Sequence, residues 1–351
     1  MQVEFLIIGQ GISGTWLSYY LQKANKSFLV IDNNRENSAS RIAAGIVSPV
    51  TGRRIVKTWM IDELLAFLIP AYTELGRELG VNAIEQKSLI DFHPTPRMKI
   101  AFNERVKENA EFLFQPEDRQ LYYDIFSYDF GFGEVNPCYI VNLKEIIPAW
   151  RKILLDNAQL LEEDFEFDNL KNTNKEIHYK NIHAEKIIFC DGMSSAQNPL
   201  FKNLPFALNK GEAILIESAN IPSSHIFKKG MMLTSIDNGL HWIGSNYLWD
   251  FTDDKPSEQF RKQTESLLNN WLKVPFKIVD HNAAIRPANI ERRPFVGFHP
   301  IDKNMGILNG MGTKGCSLAP FFANQLTEHI VSAKGILPEA DIKRFTKILM
   351  R

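Results

Sequence analysis

Three glycines, Gly9, Gly11 and Gly14, stand at the spacing G-x-G-x-x-G, and an acid, Asp32, follows 18 residues later. These residue types at this spacing can hold a dinucleotide. The first glycine permits a tight turn, the second lets a pyrophosphate approach the backbone, and the third lets a helix pack closely on a strand. The acid can accept hydrogen bonds from an adenosine ribose. Ile12 and Ser13 lie where a helix would open, and helix N-terminal N–H groups and dipole favour a phosphate there. A second glycine-rich run, Gly310-Met311-Gly312-Thr313-Lys314-Gly315-Cys316-Ser317, precedes another helical stretch. It offers a second helix N-terminus and a lysine to a developing negative charge, or it is a helix cap beside a surface lysine. The three cysteines, Cys138, Cys190 and Cys316, are widely spaced and suggest neither a disulfide framework nor a zinc ribbon, and no metal site is expected. Cys190 ends an apolar strand without an activating neighbour and reads as core.

The elements that must position these groups follow from periodicity. Apolar Phe5 to Ile8 read as a buried strand, Thr15 to Asn25 as a helix, and Ser27 to Ile31 as a second strand ending on Asp32. Small residues from Ser38 to Pro49 fit either backbone lying against a large flat ligand or a short helix packed on the sheet. Arg53, Arg54 and Lys57 suit an anion, or are solvated charges. Helices are expected over Glu63 to Gly80 (broken or kinked at Pro70), Met98 to Phe114, Leu143 to Asn157, Pro256 to Leu272, Leu318 to Ala333 and Pro338 to Met350. Strands are expected at Ser88 to Phe92, Leu160 to Phe167, Glu176 to Tyr179, Lys186 to Cys190, Lys277 to Ile285, Phe295 to Gly297 and Met305 to Leu308. Hairpins fill Gly211 to Tyr247. The aromatic run from Leu121 to Gly133 fits a pocket lining or packing within a second domain.

The 351 residues, 44% hydrophobic and 23% charged, suit a globular chain long enough for two cores. With 40 basic and 41 acidic residues, no global charge draws the chain to nucleic acid or an anionic membrane. The first strand begins by Val3, which leaves no room for a signal peptide, and no apolar run is long enough to span a bilayer. A cytoplasmic setting is expected.

The N-terminal strand-glycine-acid unit, Ser38 to Pro49, Gly244, Ala284-Ile285-Arg286-Pro287, Arg293-Pro294-Phe295-Val296-Gly297 and Gly310 to Pro320 occur in the order found in one family. Together they resemble the D-amino-acid oxidase/glycine oxidase (DAO) family of FAD-dependent oxidoreductases. The likeness is strong in the terminal thirds and weak from about Glu74 to Asn136. It implies an α/β chain in which a Rossmann-like FAD-binding domain (1–75, 137–205 and 285–351) interleaves with an α+β substrate domain (76–136 and 206–284) built on a mostly antiparallel sheet. It also implies noncovalent FAD held by Gly9, Gly11, Ile12, Ser13, Gly14, Asp32, Asn33, Ser40, Arg41, Ala43, Ala44, Gly45, Ile46, Val47, Phe165, Cys190, Gly192, Arg286, Gly312, Thr313, Lys314, Gly315 and Cys316. Ala44 to Val47 would line the flavin ring, and Thr313 to Gly315 its pyrimidine edge.

The activity implied is hydride transfer from the carbon beside an amine nitrogen, followed by imine hydrolysis, with Arg286 and Lys314 as the catalytic-site residues. Arg286 matches the family's carboxylate-binding position, and Met232, Tyr247 and Arg286 are the implied substrate contacts. Met232 stands where glycine oxidases place a substrate-binding tyrosine, which questions glycine as substrate. Ile285 stands where sarcosine oxidases carry a flavin-linking cysteine, and Trp242 replaces their oxygen-activating lysine. Dioxygen and a quinone or other electron carrier therefore both stand as acceptors. Gly312 to Pro320 also resembles the FAD domain of the bifunctional tRNA 5-methylaminomethyl-uridine enzyme, so a tRNA substrate remains an alternative, as does a flavin-binding partner protein without turnover.

Overall fold

The computed structural model of the protein describes residues 1–350 apart from 53, 109, 110, 117, 119, 121, 174 and 175. Two large sheets organise it. In the first, a parallel run places Leu160–Leu161 beside Phe28–Ile31, then Gln2–Ile8, Ile182–Phe189 and Met305–Asn309. Phe295–Phe298 closes one side antiparallel, and the Leu170–Asn172 and Ile177–Tyr179 strands pair antiparallel below. Leu6, Ile7, Leu29 and Val30 are fully buried because helices or loops cover both faces, as continuous apolar strands of a parallel sheet require. The helix Ile12–Lys23 follows the first strand and packs on Gly315–Ser332. Trp16 anchors that layer against Tyr72, with ring centroids 4.9 Å apart.

The second sheet runs in the order Lys277–Arg286, Asn209–Glu217, Leu240–Gly244, Met231–Asp237, His225–Lys229, Ile84–Phe92, Phe132–Val141 and Ile46–Val47. It is antiparallel except where His225–Lys229 runs parallel to Ile84–Phe92. The fold is thus α/β with one doubly covered parallel sheet and one mostly antiparallel sheet. The boundaries expected at 136/137 and 284/285 fall inside the strands Phe132–Val141 and Lys277–Arg286.

Several local expectations are corrected. Ile61–Leu79 is one helix through Pro70. Pro70 lies on the exposed face, where water can serve the freed carbonyl, while Leu64, Leu68, Tyr72 and Leu75 hold the buried stripe. Pro148 is likewise exposed inside Leu143–Asp156. The helix expected to reach Phe114 ends at Glu108, because Leu113–Phe114 joins the second sheet beside Val135 and buries Leu113. The strand expected to reach Phe167 covers only Leu160–Leu161, and the C-terminus is a 3-10 turn, Ile342–Phe345, followed by the short helix Thr346–Leu349. Of the aromatic run, Leu121 lies outside the described residues. Tyr122 and Phe126 pack with Phe92, Phe227 and Trp271 on the sheet face away from the cavity described next, as packing within a second domain requires, while Tyr123 is exposed.

Candidate active site

A cavity of about 1000 Å³ runs between the carboxyl ends of the first sheet's strands and one face of the second sheet. At one end the backbone does the shaping. Gly9 turns at φ +95°, and a Cβ there would meet the Cys190 carbonyl at 2.7 Å. A Cβ on Gly14 would lie 1.8 Å from the Gly9 oxygen, so this glycine sets the helix-to-strand contact behind the cavity and does not line it. Ser40 Oγ accepts from Ile12 N at 3.0 Å, folding the Ser38–Val47 segment over the helix N-terminus.

Asp32 is held by its neighbours. Its Oδ2 accepts from Gln10 N at 2.8 Å, and its Oδ1 accepts from Asn34 N at 2.9 Å and Arg151 Nη1 at 2.7 Å. Arg151 also donates to Glu162 at 2.7 Å and to Gln10 Oε1 at 3.2 Å. Nothing in the sequence pattern points to Arg151, since it sits 119 residues from Asp32 on an amphipathic helix. Asn33 donates to Asp164 at 2.6 Å, and Phe165 stacks on Tyr179 at 4.9 Å. Arg41 lines this end and bonds Asn34, with burial lowering its pKa.

In the middle, Ala43, Ala44, Gly45, Ile46 and Val47 form one wall. Gly45 has φ +75°, and a Cβ there would fall 1.9 Å from the Val141 oxygen. Trp242 Nε1 donates to the Ile42 carbonyl at 2.9 Å and ties this wall to the second sheet. Opposite, Gly312 turns at φ +56° and donates to the Pro287 carbonyl, leading into the N-terminus of Gly315–Ser332. Lys314 donates to Thr58 Oγ1 at 3.1 Å, and burial, aided by Arg292 and Arg293, pushes its pKa down to about 8. Burial raises the Cys190 thiol well above its ordinary value and pushes Cys316 up to about 12, so both line the wall as neutral thiols. Cys190, Gly192, Thr313, Gly315 and Ser13 line the same cavity. Asp191 is a half-buried lining acid that the sequence reading did not count among the site residues. Burial pushes it up to about 6 against the bonds it accepts from Ser195 and Asn309.

At the far end lies Arg286. Its Nη1 donates to Asn209 Oδ1 at 2.7 Å and to the Asn246 carbonyl at 3.1 Å, and its Nη2 donates to Ser245 Oγ at 2.7 Å. The guanidinium lies over Gly211, where any Cβ would sit 1.7 Å from Nη2, and faces the Tyr247 ring at 4.9 Å. Among the described residues no carboxylate pairs with it. Met232 and Tyr247 line the same end. Of the basic run, Arg53 lies outside the described residues, Arg54 is exposed, and Lys57 is spent on Asp62 and Glu111, so the last two are surface charges.

A glycine turn that excludes side chains, an acid fixed by its neighbours, a wall of small residues and two helix N-termini fit an FAD. The family model for FAD-dependent oxidoreductases of the DAO type matches residues 4–329. The chain belongs to the DAO family. It is therefore an FAD-dependent oxidoreductase of the amine and amino-acid class, with FAD as its cofactor. Solved DAO structures share its fold across nearly the whole chain. Glycine oxidase from Bacillus cereus ATCC 14579 is similar at 15% identity and a TM-score of 0.81, covering 95% of this chain and 96% of that one. Iminodiacetate oxidase from Chelativorans sp. BNC1 is similar at 18% identity and 0.75, covering 98% of each. L-proline dehydrogenase from P.horikoshii is similar at 16% and 0.76, covering 99% of this chain and 98% of that one. Among the described residues, no helix is long and apolar enough to cross a membrane.

Proposed function

We propose that this DAO-family chain oxidises the C–N bond of an amino acid or secondary amine bearing a carboxylate, with noncovalent FAD. When bound, FAD supplies the two-electron acceptor for the hydride leaving the carbon beside nitrogen; water then hydrolyses the imine to a carbonyl compound and an amine. The observation that carries the substrate class is Arg286: a covered guanidinium in the cavity, held by neutral oxygens and lacking a carboxylate of its own. Neutral acceptors fix its plane without cancelling its charge, so a substrate carboxylate completes the pairing and sets the reacting carbon in place. Lys314 and the Gly315–Ser332 N-terminus put positive charge at the other edge of the site, where it stabilises negative charge on the pyrimidine edge. The reading includes a division of labour: the first sheet with its helices holds the cofactor, and the second sheet roofs the substrate. It takes dioxygen or a quinone-type carrier as the final acceptor.

Arg286→Ala should lower kcat/KM for a carboxylated amine by roughly 100-fold or more, the cost of leaving a buried anion unpaired. FAD content should stay near that of the parent. Measuring the rate of flavin bleaching under anaerobic conditions, and then admitting air, checks substrate and acceptor in turn. Equal kinetics in the variant would remove Arg286 from the site.

A further inference from the structure

The second sheet carries one row of residues that all face the cavity: Asp91, Lys228, Met232, Gly244 and Ala213, each registered with the next across five strands. The row ends in an ion pair. Lys228 Nζ donates to Asp91 Oδ2 at 2.7 Å, with Asp91 buried and Lys228 largely covered. Among the described residues this is the sole hydrogen bond of either charged group. The remaining donors and lone pairs of this pair open onto the cavity, where a ligand can meet them. Here two ammonium donors and a carboxylate oxygen have no protein partner, and the pair lines the cavity.

We infer that the Asp91–Lys228 pair is a distal subsite for a net-neutral, zwitterionic head on the substrate, a second amino-acid group whose carboxylate meets Lys228 and whose ammonium meets Asp91. The inference rests on the carboxylated-amine reading of Arg286 and names the other end of that substrate. The guanidinium lies over Gly211, and the strand bearing Lys228 is three strands away across the sheet. At the usual strand spacing that separates the two strands by about 14 Å. Glycine, or any amine with a single short arm, cannot touch both. The span between is floored by Met232 and the bare backbone of Gly244, which suits a flexible methylene chain. The class is therefore a carboxylated secondary amine whose second nitrogen substituent is a chain ending in an amino-acid head. A lone anion at the subsite would have to displace Asp91 from Lys228, and a lone cation the reverse. A zwitterion replaces one bond with two of the same kind.

Two measurements on the FAD holoenzyme separate the subsite from the reaction. In calorimetry, 2-amino-2-methylnonanedioate, which carries both ends but has no hydrogen on the carbon beside its nitrogen and so cannot be oxidised, should bind about 30-fold more tightly than octanoate, which lacks the head. The Lys228→Met, Asp91→Leu double variant, chosen to remove both charges together so that neither is left buried alone, should erase that difference. Equal binding of the two acids to the parent protein, or a preference that survives in a folded, FAD-loaded double variant, overturns the subsite. Independently, Nε-(carboxymethyl)lysine should reduce the flavin with a kcat/KM about 30-fold above that of N-ethylglycine, and the ratio should collapse in the double variant. Preferential binding of the head without flavin reduction by either amine would support the subsite and overturn the reaction reading.

Discussion

The two ends of the cavity are built on different principles. At the end proposed for the nucleotide the shape is backbone: Gly9, Gly14 and Gly45 stand where any Cβ would strike a main-chain oxygen, and the polar groups on offer are N–H groups and one fixed acid. At the end proposed for the substrate the shape is side chain: Arg286, Met232, Lys228 and Asp91 project from strands brought together only by the sheet. The first kind of site announces itself by short, fixed spacing along the chain and tolerates little change. The second is a long-range fact, and substitutions there can retune chemistry while the fold persists.

The comparison is broken most severely at Gly14. A methyl group in Gly14→Ala would be driven to 1.8 Å from the Gly9 oxygen, which no rotamer relieves. The helix must move off the strand, and we expect FAD affinity to fall by roughly 100-fold or more, as displacement of a positioned group by about 1 Å does. Purification without bound flavin, and failure to reconstitute with excess FAD, would be the readout.

Arg151→Met tests whether the nucleotide end also depends on a distant side chain. The variant leaves Asp32 without a buried cation, and such unpaired charges cost on the order of 3 kcal/mol. Both thermal stability and FAD affinity should fall, with apoprotein Tm separating the two. A variant with unchanged Tm but weakened FAD would make Arg151 a partner of the cofactor alone.

At the substrate end the matching test is Glu212→Gln. Glu212 is fully buried and accepts from Ser257 N, Ser257 Oγ and Asn246 Nδ2, while the Asn246 carbonyl holds Arg286. Its amide variant points an N–H at a donor and loosens that chain of contacts. Because it acts through Arg286, we expect KM for a carboxylated amine to rise about 10-fold with a smaller change in kcat. Equal losses in both parameters would instead mean a general collapse of the loop.

This contrast also explains what could be read from the chain. Gly9, Gly11, Gly14 and Asp32 were legible because their chemistry repeats at fixed short spacing, and the wall from Ala43 to Val47 and the loop from Gly312 to Cys316 followed from family order. Arg151, Glu212, Lys228 and Asp91 were not, since each gains meaning from a partner tens to hundreds of residues away. The same rule governs the fold. Pro70 reads as a helix breaker until tertiary packing shows it on the wet face of a helix held by Leu64 and Leu68. The aromatic run from Leu121 to Gly133 reads more readily as packing than as a pocket, but periodicity does not say which face of a sheet it will meet.

The smallest effect is expected at Lys314, where the two kinds of site meet. It stands on the glycine-rich loop but acts through a side chain, and its pKa of about 8 places its charge within reach of ordinary buffers. Below that pH the ammonium is present and, with the flavin placed as proposed, should raise its midpoint potential; above it the charge is lost. The potential of the parent should therefore exceed that of Lys314→Met by about 30 mV, corresponding to about 1.4 kcal/mol for two electrons, at pH 6–7. The gap should narrow as pH rises through 8 and close by about 10. Redox titration of both holoproteins across that range measures it. A gap that stays constant with pH would show that bound FAD keeps Lys314 protonated, and that burial loses there to the charge of the cofactor.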